Sequence, residues 1–163
     1  IDFIPMQKEF IQNHAYGGTM RLGAYGAIIN KKSLIYNLYK KTKRIEIDKK
    51  QIKILQKDKQ NKFRLGKFNK NTDTIILERH RHRYEVNPKY VETLEKAGIK
   101  FTGYHVRNDG TKLMEFIGLP QHKFFVATQA HPEFKSRLNN PAPLFWGFVK
   151  ACLSKTNKIS NSK

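Results

Sequence analysis

A five-residue apolar run, Phe124-Phe125-Val126-Ala127-Thr128, leads into Ala130-His131-Pro132-Glu133-Phe134. The run reads as a buried strand. Pro132 restricts the backbone just after it, which fits a loop of fixed geometry. A strand of this kind delivers a histidine and a carboxylate, two residues apart, to one end of a sheet. A histidine becomes a useful general base when a carboxylate orients its ring and stabilises the imidazolium. The spacing alone does not establish that contact, and a surface loop in which His131 and Glu133 are merely solvated satisfies it equally. No nucleophile is evident in the chain. The pair is therefore read as the base half of a triad, within a larger enzyme.

The rest of the chain alternates strand and helix signals. Residues 1–5 look like a strand end stopped by Pro5. Gly17-Gly18 marks a turn, after which alternation resumes through Ala24, Tyr25, Ala27, Ile28 and Ile29. Ser33 is placed to cap a helix over 34–39 that turns Leu34, Leu38 and Tyr39 to one face. Thr74-Ile75-Ile76-Leu77 then enters Glu78-Arg79-His80-Arg81-His82-Arg83-Tyr84-Glu85-Val86-Asn87. Extended, that stretch puts Arg79, Arg81 and Arg83 on one face and His80, His82 and Tyr84 on the other. Asn87-Pro88 starts a helix over 89–97 that Gly98 ends. Two strands, 99–104 and 112–119, flank a turn at Asn108-Asp109-Gly110. A last helix over 143–153 carries the stripe Leu144, Phe145, Phe148, Val149 and Cys152. The fold class is α/β without clean βαβ alternation, so a sheet with an antiparallel extension is expected.

Composition narrows the function. The chain has 163 residues, enough for one domain with a modest core, and 12% aromatic residues to fill it. Its one cysteine, Cys152, excludes an internal disulfide framework and a cysteine-cluster zinc site, and fits a reducing compartment. No apolar run approaches the roughly 20 residues that span a bilayer, and no leader is evident. A soluble, cytoplasmic chain that begins inside a longer gene product is expected.

The net charge of +19 is uneven: between Lys40 and Lys70, 13 Lys or Arg stand against three acids. Clustered lysines suit nucleic-acid phosphates, so a basic binding module using 40–70 and the arginine strand is one alternative. The reading preferred is a lysine-rich, solvated insertion at about 40–74, weakly patterned and adding a hairpin or short helix. A non-catalytic, degenerate subunit kept for assembly is a further alternative.

Other candidate sites are weaker. His80 and His82 on one strand face could ligate a metal with Glu78, His122 or His131. The surrounding arginines repel a cation, so no metal is expected. His-x-Glu also occurs in zinc deaminases, but those need a downstream Pro-Cys-x-x-Cys that is absent. The face of Arg79, Arg81 and Arg83 suits either an anion clamp for carboxylate or phosphate, or a salt-bridged exposed strand. Cys152, on an apolar helix stripe with no turn around it, reads as a core cysteine.

Three separated motifs carry a resemblance. Gly17-Gly18-Thr19-Met20-Arg21-Leu22-Gly23, Glu78 to Asn87, and the His131-Pro132-Glu133-Phe134 segment stand in the order found in CTP synthase. Together with Leu144-Phe145 and Gly147-Phe148-Val149-Lys150-Ala151, they resemble its C-terminal class I glutamine amidotransferase domain. The resemblance covers about 1–40 and 75–155. It implies a partial amidotransferase domain at 1–155, flavodoxin-like or Rossmann-like with an antiparallel extension, and a disordered tail at 156–163.

The resemblance also implies a function. The complete enzyme would aminate UTP to CTP. Its synthetase domain would use ATP and magnesium, GTP would activate it, and it would assemble as a homotetramer. The amidotransferase domain would hydrolyse glutamine to supply the ammonia. His131 and Glu133 match the triad histidine and glutamate, and Arg83 matches the residue that holds glutamine. The family's nucleophilic cysteine lies in a Gly-rich elbow before the start of this chain, and the synthetase domain lies outside it. No cofactor is expected on this chain itself, and neither a membrane nor nucleic acid is expected as a partner.

Overall fold

The two longest strands carry apolar runs, Ala27-Ile28-Ile29 and Ile75-Ile76-Leu77, that are buried on both faces, and their pairing organises the rest. The computed structural model describes residues 1–3 and 20–159. Strands β1 (Asp2–Phe3) and β2 (Arg21–Ile29) precede two helices, α1 (Leu34–Lys41) and α2 (Arg44–Lys57). After a 3₁₀ turn at Lys62–Leu65 come β3 (Thr74–His82) and β4 (Tyr84–Glu85). A 3₁₀ turn at Pro88–Tyr90 runs into α3 (Val91–Lys96). Strands β5 (Lys100–Val106), β6 (Lys112–Gly118) and β7 (Val126–Thr128) follow. A 3₁₀ turn at Pro132–Lys135 and α4 (Pro143–Ile159) complete the order.

Strands β2 and β3 pair antiparallel over nine positions, from Arg21 opposite His82 to Ile29 opposite Thr74. The main sheet has the order β3-β2-β5-β6-β7, and β1 pairs with β4 in a separate ribbon. Every strand pairing among the described residues is antiparallel. The antiparallel extension expected from the sequence is thus the part of the sheet that these residues form.

Two clusters make the core. Ala27, Ile29, Ile76 and Phe116 from the sheet pack against Ile35, Leu38 and Tyr39 of α1 and Leu144 of α4. The second joins Ile75 and Leu77 of β3 to Ile52 of α2 and Leu65 of the following turn. The basic segment is therefore not a solvated surface addition. Its helix buries Arg44, Ile45, Asp48 and Ile52, a spacing of three to four residues that suits one helix face. The lysines between those positions conceal that periodicity.

Several expectations shift in detail. Ser33 caps α1 by accepting the Tyr36 N–H at 3.1 Å. The buried face is Ile35, Leu38 and Tyr39, while Leu34 is exposed. Helix α4 runs to Ile159, beyond the end expected at 153 and through part of the expected tail. Its apolar stripe is not its buried face: Leu144 is buried, but Phe145, Phe148, Val149 and Cys152 are exposed. The reason is Gly147, where a Cβ would lie 2.5 Å from a Leu38 methyl; α4 meets α1 along this close approach. Cys152 is not a core residue. Gly17, Gly18 and Thr19, and the Ile4-Pro5 stop, lie outside the described residues.

Strand β7 is shorter than expected and forms an edge, with Ala127 exposed and its neighbours half-buried. It is not a buried strand. Phe124, just before it, packs on the first core cluster, whereas Phe125 is 42% exposed.

Candidate functional site

The loop after β7 folds back onto β3. The His131 N–H donates to the Arg79 carbonyl at 2.8 Å, and the Gln129 amide donates to the Tyr84 carbonyl at 2.6 Å. Pro132 stands at the start of the 3₁₀ turn, where its fixed φ and missing N–H are tolerated. That turn brings the two candidate groups into contact: His131 Nδ1 lies 2.7 Å from Glu133 Oε1. A carboxylate only accepts, so Nδ1 carries the shared proton and Nε2 is left to take up or release another. Burial pushes the Glu133 carboxyl up, but its own backbone N–H and His131 outweigh that and hold it below the usual range; Arg81 adds to the effect. Glu133 therefore stays ionised beside the imidazole.

The His131 ring stacks on two others. The His82 ring lies 4.9 Å away at an interplanar angle of 10°, and that of Phe134 lies 5.0 Å away at 23°. The Arg79 guanidinium sits over Phe134, 5.8 Å from its centroid. Burial, then the nearby His80, Arg21 and His131, lowers the His82 pKa to about 4, so His82 is neutral near pH 7.

Behind His82 lies a buried charge network that sequence reading missed. Glu115 of β6 accepts from Arg21 and lies 2.6 Å from His80 Nε2. Arg21 also pairs with Glu85 at 2.7 Å. Burial alone would raise the Glu115 pKa, yet Arg21 and then His80 bring it down to about 2. Burial raises Glu85 to about 7 despite Arg21. A cavity of about 360 Å³ opens beside this network, lined by His82, Glu85, Glu115 and Gln129 among mainly apolar residues. The one available signal was an acid inside an apolar strand, Met114-Glu115-Phe116.

The structure brings His131 and Glu133 together and places His82 against them. The two-face reading holds within β3, where Arg79 and Arg81 are exposed and His80 is buried, but it stops at the Arg83 bend: Tyr84, expected on the face of His80 and His82, is exposed. Arg83 occupies the bend between β3 and β4 and is exposed. Among the described residues, no group of three or more His, Cys, Asp or Glu is placed to hold a metal ion. None of the described helices is long and apolar enough to cross a membrane.

The glutamine amidotransferase class-I family model matches residues 11–151, and the chain belongs to that family. The relatives it resembles are more specific. It is 46% identical over 155 residues to a CTP synthase of Methanococcus maripaludis, covering 95% of this chain and 22% of that protein. It is 41% identical over 151 residues to a CTP synthase of Pyrococcus abyssi, covering 93% and 21%. The chain thus spans about a fifth of the length of the curated relatives it matches. A solved structure described as the Trypanosoma brucei CTPS glutaminase domain with bound acivicin superposes with a TM-score of 0.59 at 31% identity. That match covers 83% of this chain and 40% of that one.

Proposed function

We propose that the chain supplies the acid–base half of a glutamine-hydrolysing site in a CTP synthase, with His131 as general acid–base and Glu133 as its orienting carboxylate. The observation that carries this is the 2.7 Å contact between His131 Nδ1 and Glu133 Oε1 in a chain of the amidotransferase family. The nucleophile is a cysteine thiolate from outside this chain. It attacks the side-chain amide of glutamine, and His131 Nε2 gives its proton to the departing ammonia. His131 then takes a proton from the water that hydrolyses the thioester. Positioned acid–base help of this kind contributes roughly 100- to 10,000-fold. Arg83 holds the glutamine carboxylate, a task suited to a guanidinium fork.

The ammonia serves a synthetase domain of the same polypeptide, which aminates UTP. ATP and magnesium act there, not on this chain; GTP activation and a homotetramer belong to the same reading. In the intact protein, His131→Ala abolishes glutamine-dependent CTP formation and leaves the ammonia-dependent reaction near wild type. Equal loss of both activities, measured side by side, would count against the assignment.

A further inference from the structure

The buried ion pair between α2 and the loop after β7 has no part in the reading above. Asp48 of α2 is fully buried, and it is the buried acid of the lysine-rich segment. Its Oδ1 accepts from Lys135 Nζ at 3.0 Å, and its Oδ2 accepts the Leu77 N–H of β3 at 3.0 Å. Lys135 Nζ also donates to the Leu77 carbonyl and lies 3.8 Å from Glu78 Oε1, which itself accepts from the Tyr39 hydroxyl at 2.7 Å. Lys135 is the last residue of the 3₁₀ turn that contains Glu133.

We infer that Lys135 and Asp48 are a positioning pair, through which the basic segment fixes the turn that holds Glu133 against His131. The inference rests on the proposed role of His131 and Glu133. The geometry behind it is a two-point attachment. The loop is tied to the Arg79 carbonyl at His131 and to the Leu77 carbonyl at Lys135, two residues apart on one strand. Glu133 lies between those ties, its side chain 52% exposed. An exposed carboxylate keeps one geometry only if its backbone is held. Asp48 makes the second tie durable, because it offers a buried, charged partner to the ammonium and fixes its own carboxylate through Leu77. A shift of about 1 Å in a catalytic group can cost on the order of 100-fold in rate.

The test uses the intact protein and the double variant Asp48→Asn/Lys135→Met, which removes the two charges of the pair together, although Glu78, 3.8 Å from Lys135 Nζ, loses that neighbour as well. The expected result is a fall of at least about tenfold in kcat for glutamine hydrolysis, with KM for glutamine within about twofold, whatever the change in melting temperature. A merely structural pair would lower the melting temperature without moving kcat at unchanged KM. Wild-type kcat in a folded double variant overturns the inference. Should that variant not fold, Asp48→Asn alone decides by the same two readouts, since it keeps the shape and one acceptor. His131→Ala runs alongside. If it retains glutamine hydrolysis, the functional reading fails; if it is inactive while the double variant has wild-type kcat, the positioning role alone fails.

Discussion

Side chains that meet at this site come from distant parts of the sequence, and that separation decided what could be read in advance. His131 and Glu133 are two residues apart, and Pro132 between them hinted at the turn that joins them. Glu115 and His80 are 35 residues apart, and Lys135 and Asp48 are 87 apart, so no local spacing announced either pair. Cys152 misled in the other direction, because an apolar neighbourhood in sequence is not burial in space. Its thiol is exposed on α4. Cys152→Ser is therefore expected to leave glutamine-dependent turnover within about twofold of wild type, and a collapse in that assay would place the nucleophile within this chain. Arg83→Lys keeps the charge but loses the fork. It is expected to raise KM for glutamine roughly tenfold with little change in kcat, measured by ammonia release; an unaltered KM would remove Arg83 from the substrate site.

Strands were legible from runs of apolar and β-branched residues bounded by turn signals. β2, β3, β5 and β6 fell close to where those runs put them, with the apolar parts of β2 and β3 buried on both faces, and the Ser33 cap and the Gly110 turn fell where turn chemistry put them. Helix α2 was not legible as a buried element, since lysines dilute its buried stripe and Ile75 and Leu77, the partners of its Ile52, lie on β3, a later element. The turn after α2 shows how firmly the segment is built in. Gly66 has φ 67°, and a Cβ there would sit 2.2 Å from the Val106 carbonyl oxygen. Gly66→Ala should cost about 1–3 kcal/mol, seen as a lower melting temperature of the intact protein. A Tm equal to wild type would mean that the segment is not anchored to β5. Helix α4 was found but its buried face was not, because the face is chosen by the absence of a side chain at Gly147.

Over the whole molecule, opposed titrations meet behind the site. His82 is lowered from 6.5 to about 4, so its contribution to stability is complete above pH 6.5 and is lost as pH falls through 4. Glu85 is raised from 4.5 to about 7, so its contribution is complete below pH 4.5 and is lost as pH rises through 7. Between pH 4.5 and 6.5 the two slopes cancel in part. Relative to wild type, thermal melts of His82→Phe should show stability declining more with rising pH, and Glu85→Gln less. Identical slopes in all three proteins would show that neither group titrates as its burial implies.

Arg21 has a consequence for how the chain is made. Its guanidinium emerges from the ribosome 94 residues ahead of Glu115, an interval of roughly 5–20 s at ordinary translation speeds. Glu85 is made first and pairs with it, but Glu115 is missing until β6 exists, and the floor behind His82 closes only when that strand arrives. Synonymous codons that slow elongation before residue 115 would lengthen the wait of a half-built site, and with it the time available for a chaperone to engage it.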